Sequence, residues 1–319
     1  MSEPIPVLLD TCKTYDTPVL KQFCDDAAAA LGFGAGLGGA RVLLKPNLIS
    51  SMASRLACSD GRFIRAVAEW FIDQGARVRI GDSPSFGSAS QVMAKHGISD
   101  HLRGLDIEVI EFRDVRELEM SHEVRIGVSG EALDCDLLVN LPRVKAHGQM
   151  YVTLAVKNMY GVVCGMRKAV RHMMNGLSHV KFGDLMIDLC LAVPHSVSLI
   201  DGIEVMHRSG PIKGVALQVG CVAAAKDPVA LDTALLAALE LDLSKCPVWR
   251  AAKARTLAGA EIDRLEFVRL APECFSGTGF EAPEFLSPVP FNPLRFMYNS
   301  YRRVAASRQT LNTTTTPRR

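Results

Sequence analysis

The chain has no two cysteines closer than twelve positions in sequence. All nine are dispersed, at positions 12, 24, 58, 135, 164, 190, 221, 246 and 274. That spacing excludes CxxC zinc sites and ferredoxin-type runs, so no iron–sulfur cluster is expected within this chain. An odd number also argues against a complete disulfide framework, and the thiols read as buried groups in a reducing compartment. Long apolar runs are missing: none reaches the roughly eighteen residues of a transmembrane helix. The opening MSEPIPVLLDTCKTYD has no basic segment ahead of a long apolar stretch, so no signal peptide is read and a cytoplasmic location is expected. The net charge is only +2 at pH 7, which removes the case for nucleic acid as a partner. A correctly placed phosphate loop is lacking too. GFGAGLGGA at 32–40 follows a predicted helix and precedes a strand, the wrong order for a dinucleotide or Walker loop, and reads as a flexible turn.

What is present is an alternation of strands and helices. Strands are predicted at 5–9, 41–44, 78–80, 107–112, 137–141, 197–200 and 215–225. Asp16-Thr17-Pro18 starts a helix to about Leu31, with Thr17 as its cap. Ser59-Asp60-Gly61 opens a second helix, whose Phe63, Ile64, Val67, Trp70 and Phe71 recur at helical spacing. Short helices are expected at 88–96 and 98–103, and a hairpin within 124–133. Phe182 to Val193 has helical spacing, and Asp227-Pro228 caps and begins a helix through Leu241. The pattern implies an α/β fold, a mixed and mostly parallel sheet with helices on both faces. One large globular domain is expected over 1–285. Beyond Glu284 no acidic residue remains while arginines accumulate. Residues 286–319 therefore read as a basic Pro/Thr-containing C-terminal extension, partly disordered at its end.

The chemistry concentrates after strand ends, where open α/β sheets place their ligands. Lys45-Pro46-Asn47 ends the second strand and Gly81-Asp82 the third. Leu137–Leu141 is an apolar run closed by Pro142, and the turns after it carry Lys145, His147, Lys157, Asn158, Arg167, Lys168, Arg171 and His172. Asp201-Gly202 closes a later strand. This set reads as a pocket for a small anionic metabolite, a carboxylate or phosphate. Lys45, Asn47, Lys157 and Asn158 would bind it, and Lys145, His147 and His172 would do acid–base work near neutral pH. Asp82 and Asp201 could hold a divalent metal or orient a base. Each residue has an ordinary alternative. A histidine satisfies two ring nitrogens on backbone partners, Lys157-Asn158 caps a helix, and Asp201 and Asp227 serve a turn and a cap.

The succession Lys45-Pro46-Asn47, Gly81-Asp82, Leu141-Pro142, Lys145-Ala146-His147, Val152-Thr153, Lys157-Asn158-Met159-Tyr160-Gly161, His172, Asp201-Gly202, Gly210-Pro211 and Asp227-Pro228-Val229-Ala230-Leu231-Asp232 resembles the family known as domain of unknown function 362, over residues 41–235. The resemblance implies a cytoplasmic prokaryotic α/β protein. Some relatives carry an appended ferredoxin-like segment and are called iron–sulfur proteins. This chain departs from them in lacking clustered cysteines. Two functions follow as expectations: an enzyme acting on a small anion, metal-assisted or not, and a non-catalytic accessory protein that binds a cofactor, a redox partner or another protein.

Overall fold

The computed structural model describes residues 3–164 and 179–287. Expectations for Arg167, Lys168, Arg171 and His172, and for the extension past residue 287, lie outside them.

Twelve strands are formed by the described residues. In chain order they are β1 (Ile5–Thr11), β2 (Arg41–Pro46), β3 (Arg77–Gly81), β4 (Ile107–Ile110), β5 (Val115–Met120), β6 (Val124–Ser129), β7 (Leu137–Leu141), β8 (Arg143–His147), β9 (Tyr151–Thr153), β10 (Ser196–His207), β11 (Val215–Ala225) and β12 (Leu265–Phe267). The main sheet runs β12-β1-β11-β10-β7-β2-β3-β4, with β8 attached to β10 and β9 to β8. From β10 to β4 every neighbour is parallel, as is β12 on β1; β11 runs antiparallel to both β1 and β10.

Both sheet faces are covered because the central strands are apolar on both sides. Val42 and Leu44 of β2 join one core while Leu43 joins the other; Leu138 and Val139 of β7 divide the same way. On one face lie helices Thr17–Leu31 and Gly61–Asp73, which bring Leu20, Phe23, Phe63 and Trp70 into the core. The opposite face takes helices His179–Ala192, Pro228–Ala238 and Pro247–Ala254. Each large apolar side chain so buried contributes about 1.5–3 kcal/mol. Turn chemistry punctuates the order. Gly32 ends the first helix at φ 63°, in the left-handed region that glycine tolerates. Asp60 caps the second helix by accepting from Arg62 N, and Asp227 caps its helix by accepting from Val229 N and Ala230 N.

Four local expectations are corrected. The chain after Pro142 is not a loop: it continues extended as β8, paired to β10 and β9. Proline has no N–H to give a ladder, but its fixed φ suits an extended chain. Asp201-Gly202 does not close its strand. β10 runs on to His207 across an irregularity between Gly202 and Glu204, exchanging β7 for β8 as parallel neighbour. No hairpin lies within 124–133: β6 pairs with β5 in a separate two-stranded sheet, and Gly130–Asp134 is helical. The cap position of the first helix is Asp16, without a side-chain cap bond, and not Thr17.

Candidate functional site

The parallel strands present their carboxyl ends together, and the polar residues at those ends form two joined networks. The first begins with Lys45 on β2. Side chains alternate along a strand, so Lys45 shares the face of Leu43. Its ammonium lies 2.9 Å from Asp82 Oδ1, with the lysine side chain fully buried and the aspartate 5% exposed. Lys45 Nζ also donates to the Pro46 carbonyl at 3.0 Å, and Asp82 Oδ2 accepts from Leu48 N at 2.7 Å. Burial pushes the Lys45 pKa down, and Asp82 opposes that shift. The pair is roofed by backbone. A Cβ on Gly161 would stand 2.0 Å from Asp82 Oδ1 and 2.2 Å from Lys45 Nζ, so only glycine permits this approach. Ser83 N donates to the Gly161 carbonyl at 3.1 Å. Asn158 holds the same segment down, its Nδ2 donating to Asn140 Oδ1 at 2.8 Å; Asn140 in turn donates to Ala155 O and Ser198 Oγ, each at 3.0 Å. Asp232 Oδ1 accepts from Ala155 N at 2.7 Å and anchors the start of the turn that carries Lys157 and Asn158.

The second network is built on β8. Val144 and Ala146 enter one core, so Arg143, Lys145 and His147 alternate to the other side. Lys145 is fully buried, and its amine donates to Asn47 Oδ1 at 2.8 Å and to the Ala57 carbonyl at 2.5 Å. Asn47 is itself set by Ser59, whose Oγ accepts from Asn47 N and donates to Leu141 O. Burial lowers the Lys145 pKa to about 7; charge on Cys58 opposes the fall, and Lys157 and Arg143 deepen it. His147 Nδ1 accepts from both Gln149 N and Met150 N at 3.1 Å, which leaves Nε2 to carry the proton of the neutral ring. The Lys157 ammonium lies 5.0 Å from the Tyr160 ring centroid and 5.6 Å from that of Phe182.

Sequence reasoning missed the centre of this second network, Arg143. Its Nε donates to the Glu204 carbonyl at 2.7 Å and its Nη2 to Glu204 Oε2 at 2.9 Å, with Asp60 and Asp201 each 3.9 Å away. Tyr15 donates to Asp201 Oδ1 at 2.9 Å, and Arg62 stacks over the Tyr15 ring at 4.0 Å. Burial raises the Asp201 pKa to about 6, against the lowering effect of Arg143. Reading the chain after Pro142 as a loop hid the alternation of Arg143 with Lys145; that period is the signal which would have found it.

The structure thus brings Lys45, Asn47, Asp82, Lys145 and Asn158 to one end of the sheet, with His147 farther along β8. Asp201 lies apart from them, bonded to Tyr15 and Ile203 N and 3.9 Å from Arg143. As metal ligands the two aspartates fit poorly. Asp82 is committed to Lys45 and Leu48 N, and Asp201 to Tyr15 and Ile203 N. Among the described residues no group of three or more His, Cys, Asp or Glu is placed to hold a metal ion.

The family model described as Domain of unknown function (DUF362) matches residues 42–237. A thylakoid-associated protein of Synechocystis sp. is 34% identical over 266 residues, 83% of each chain. Among solved structures, the lactate racemase apoprotein of Thermoanaerobacterium thermosaccharolyticum is similar at TM-score 0.45 and 12% identity, over 72% of this chain and 55% of that one. A Thermotoga maritima protein follows at TM-score 0.38 and 11% identity, over 63% and 53%. The chain spans little more than half of either structure, and neither likeness carries an argument about function. Among the described residues no helix is long and apolar enough to cross a membrane. The chain belongs to the domain of unknown function 362 family.

Proposed function

We propose that this member of the family is an enzyme acting on a small carboxylate or phosphate metabolite, with Lys145 as the acid–base group. The observation that supports it is the state of the Lys145 amine, fully buried and pushed down to about 7. An amine with that pKa exchanges protons at neutral pH, which an ordinary lysine does not. Asn47 Oδ1 and the Ala57 carbonyl each accept one of its hydrogens, so the neutral amine keeps a lone pair with which to accept a substrate proton. Lys157 supplies positive charge for an anionic substituent. His147, whose neutral ring carries its proton on Nε2, is the second proton-transfer group. Lys45 and Asp82 neutralise each other, and in this reading they hold Asn47 and the Gly161 segment in place.

The test is ligand-dependent thermal stabilisation against a panel of small carboxylates and phosphates. Lys145→Ala and His147→Ala should each remain folded and lose the shift that the wild type gives. If both keep the wild-type shift, the site is wrong.

A second reading, a non-catalytic accessory protein at a membrane surface or with a redox partner, is favoured by two observations. The Synechocystis relative is named for its thylakoid association, and this chain ends in a segment rich in arginine. Flotation of the full chain with anionic vesicles discriminates. Co-flotation that high salt abolishes would support this reading, and a chain left at the bottom of the gradient would count against it.

A further inference from the structure

Among the described residues, the two large apolar side chains most open to solvent are Phe285 and Met52, at 80% and 73% exposure. Together with Ile212, at 46%, they sit on three neighbouring segments at the carboxyl ends of the strands. Backbone hydrogen bonds tie these segments to one another. Ser54 N donates to the Ile212 carbonyl at 3.0 Å and Arg208 N to the Glu281 carbonyl at 2.7 Å. Gly148 N donates to the Gly210 carbonyl at 3.1 Å, and Ser287 N to the Gly148 carbonyl at 2.8 Å. Each apolar tip stands on a fixed turn. Met52 N donates to Ser50 Oγ at 3.1 Å, and the Ser50 carbonyl is bonded to His96 Nε2 at 2.9 Å. The turn after β10 is closed by Ser209 Oγ, which donates to the Lys213 carbonyl at 3.1 Å. A Cβ on Gly210 would stand 2.0 Å from the Ala146 carbonyl oxygen, and one on Gly214 2.1 Å from that of Ser209, so the turn is as tight as glycine allows. Apolar side chains held outward on such turns keep their exposure cost until a partner covers them.

We propose that Met52, Ile212 and Phe285 form a membrane-docking surface, inserting together among the headgroups of an anionic bilayer. The proposal rests on the membrane-surface reading above and names the residues that make the contact. Charge selects the partner. Within the rim, Arg208 pairs with Glu281 at 3.2 Å and Arg55 lies 3.6 Å from Glu204, so these charges are answered locally. The described residues end beside the rim, at Ser287, and the sequence that follows, 288–319, holds six arginines and no Asp or Glu. Such a sequence is attracted to anionic lipid, and it disfavours a second copy of the chain as the occupant, because two of them repel. Apolar contact and electrostatic attraction add in binding of this kind. Fixed turns lose little conformational freedom on insertion. The loop that carries Met52 also carries Ala57, whose carbonyl accepts from Lys145, so the docked face is the one beside the lysine pocket.

The experiment is flotation of the full chain, at low salt, with vesicles of equal parts phosphatidylcholine and phosphatidylglycerol. A triple variant carrying Met52→Ser, Ile212→Ser and Phe285→Ser keeps every charge and removes only the apolar tips. Its vesicle-bound fraction should fall by about tenfold or more relative to wild type. Circular dichroism melts should match, because all three side chains are exposed. A second variant, Phe285→Trp, should float as the wild type does. Its fluorescence should be quenched by lipids brominated on their acyl chains, beyond the quenching seen in wild type. Equal flotation of wild type and the triple variant, or no added quenching in Phe285→Trp, overturns this proposal and leaves the membrane-surface reading standing. A wild type that does not float overturns both. If the wild type elutes as a dimer and the triple variant as a monomer on size exclusion, the rim is a contact between copies and the proposal is overturned.

Discussion

Burial pushes down the pKa of both Lys45 and Lys145, and the partner each one finds decides what opposes that shift. Lys45 meets a carboxylate at 2.9 Å, while Lys145 meets an amide oxygen and a backbone carbonyl. Neutral acceptors do not offset the cost of burying charge, so Lys145 falls to about 7. The consequence for stability has a definite sign. Between about 7 and the ordinary value of 10.5, the unfolded chain holds the Lys145 proton and the folded chain does not. The unfolded state binds more protons, so stability rises with pH across that window and this contribution is level below it. Lys145→Met removes the group; urea titrations of wild type and variant should show the wild type gaining on the variant from pH 7 to 10. A constant difference would refute the assignment. The Lys45–Asp82 pair makes a different prediction. Asp82→Asn keeps an acceptor for Leu48 N but leaves Lys45 buried beside a neutral group, and should cost about 3–5 kcal/mol in a urea melt. Gly161→Ala should cost about 1–3 kcal/mol by overpacking the same spot. The two losses should fall short of additive in the double variant, since the second change acts on a pair already broken.

At the level of elements, the segment Ala155–Val162 is short and is held from outside. Asp232, from a helix on one face of the sheet, accepts from Ala155 N and Val156 N. Asp232→Ala should therefore raise hydrogen exchange across 155–161, by about tenfold or more for loss of a buried acceptor. Asp232→Asn, which retains a carbonyl oxygen, should raise it much less. Equal protection in wild type and Asp232→Ala would show that the segment is anchored elsewhere. Such long-range anchoring marks the limit of what the sequence discloses. Strand–helix alternation was readable because each element carries its own period and caps, as with Phe63, Ile64, Val67 and Trp70 after Asp60. The ends of β2 and β3 were readable because Lys45-Pro46-Asn47 and Gly81-Asp82 interrupt apolar runs. Strand β8 was not, because Pro142 is a turn signal whose local meaning tertiary pairing with β10 overrides. Nor was β5, whose Arg116, Glu117 and Glu119 give it the look of a solvated loop. That Lys45 would find Asp82, or that Lys145 would find Asn47, depends on strand order, and no local spacing encodes it.

Over the described residues as a whole, ion pairs differ in depth. At the strands' carboxyl ends Lys45 with Asp82 and Arg143 with Asp60 and Asp201 are buried. At the amino ends and along the edge they lie open to solvent, as in Arg41–Asp136 and Arg79–Glu108. Exposed pairs of this kind contribute roughly 0–1 kcal/mol each and weaken in salt. The buried end should respond differently. With the Gly161 backbone pressed on Lys45 and Asp82, mobile ions have no room to approach either charge. Raising ionic strength from about 0.05 M to about 1 M shortens the screening length in water several-fold and should erase what little Asp136→Asn costs. The penalty of Asp82→Asn should stay the same. The absence of one side chain at Gly161 thus acts as a dielectric seal: it makes one corner of the protein indifferent to the salinity of its surroundings.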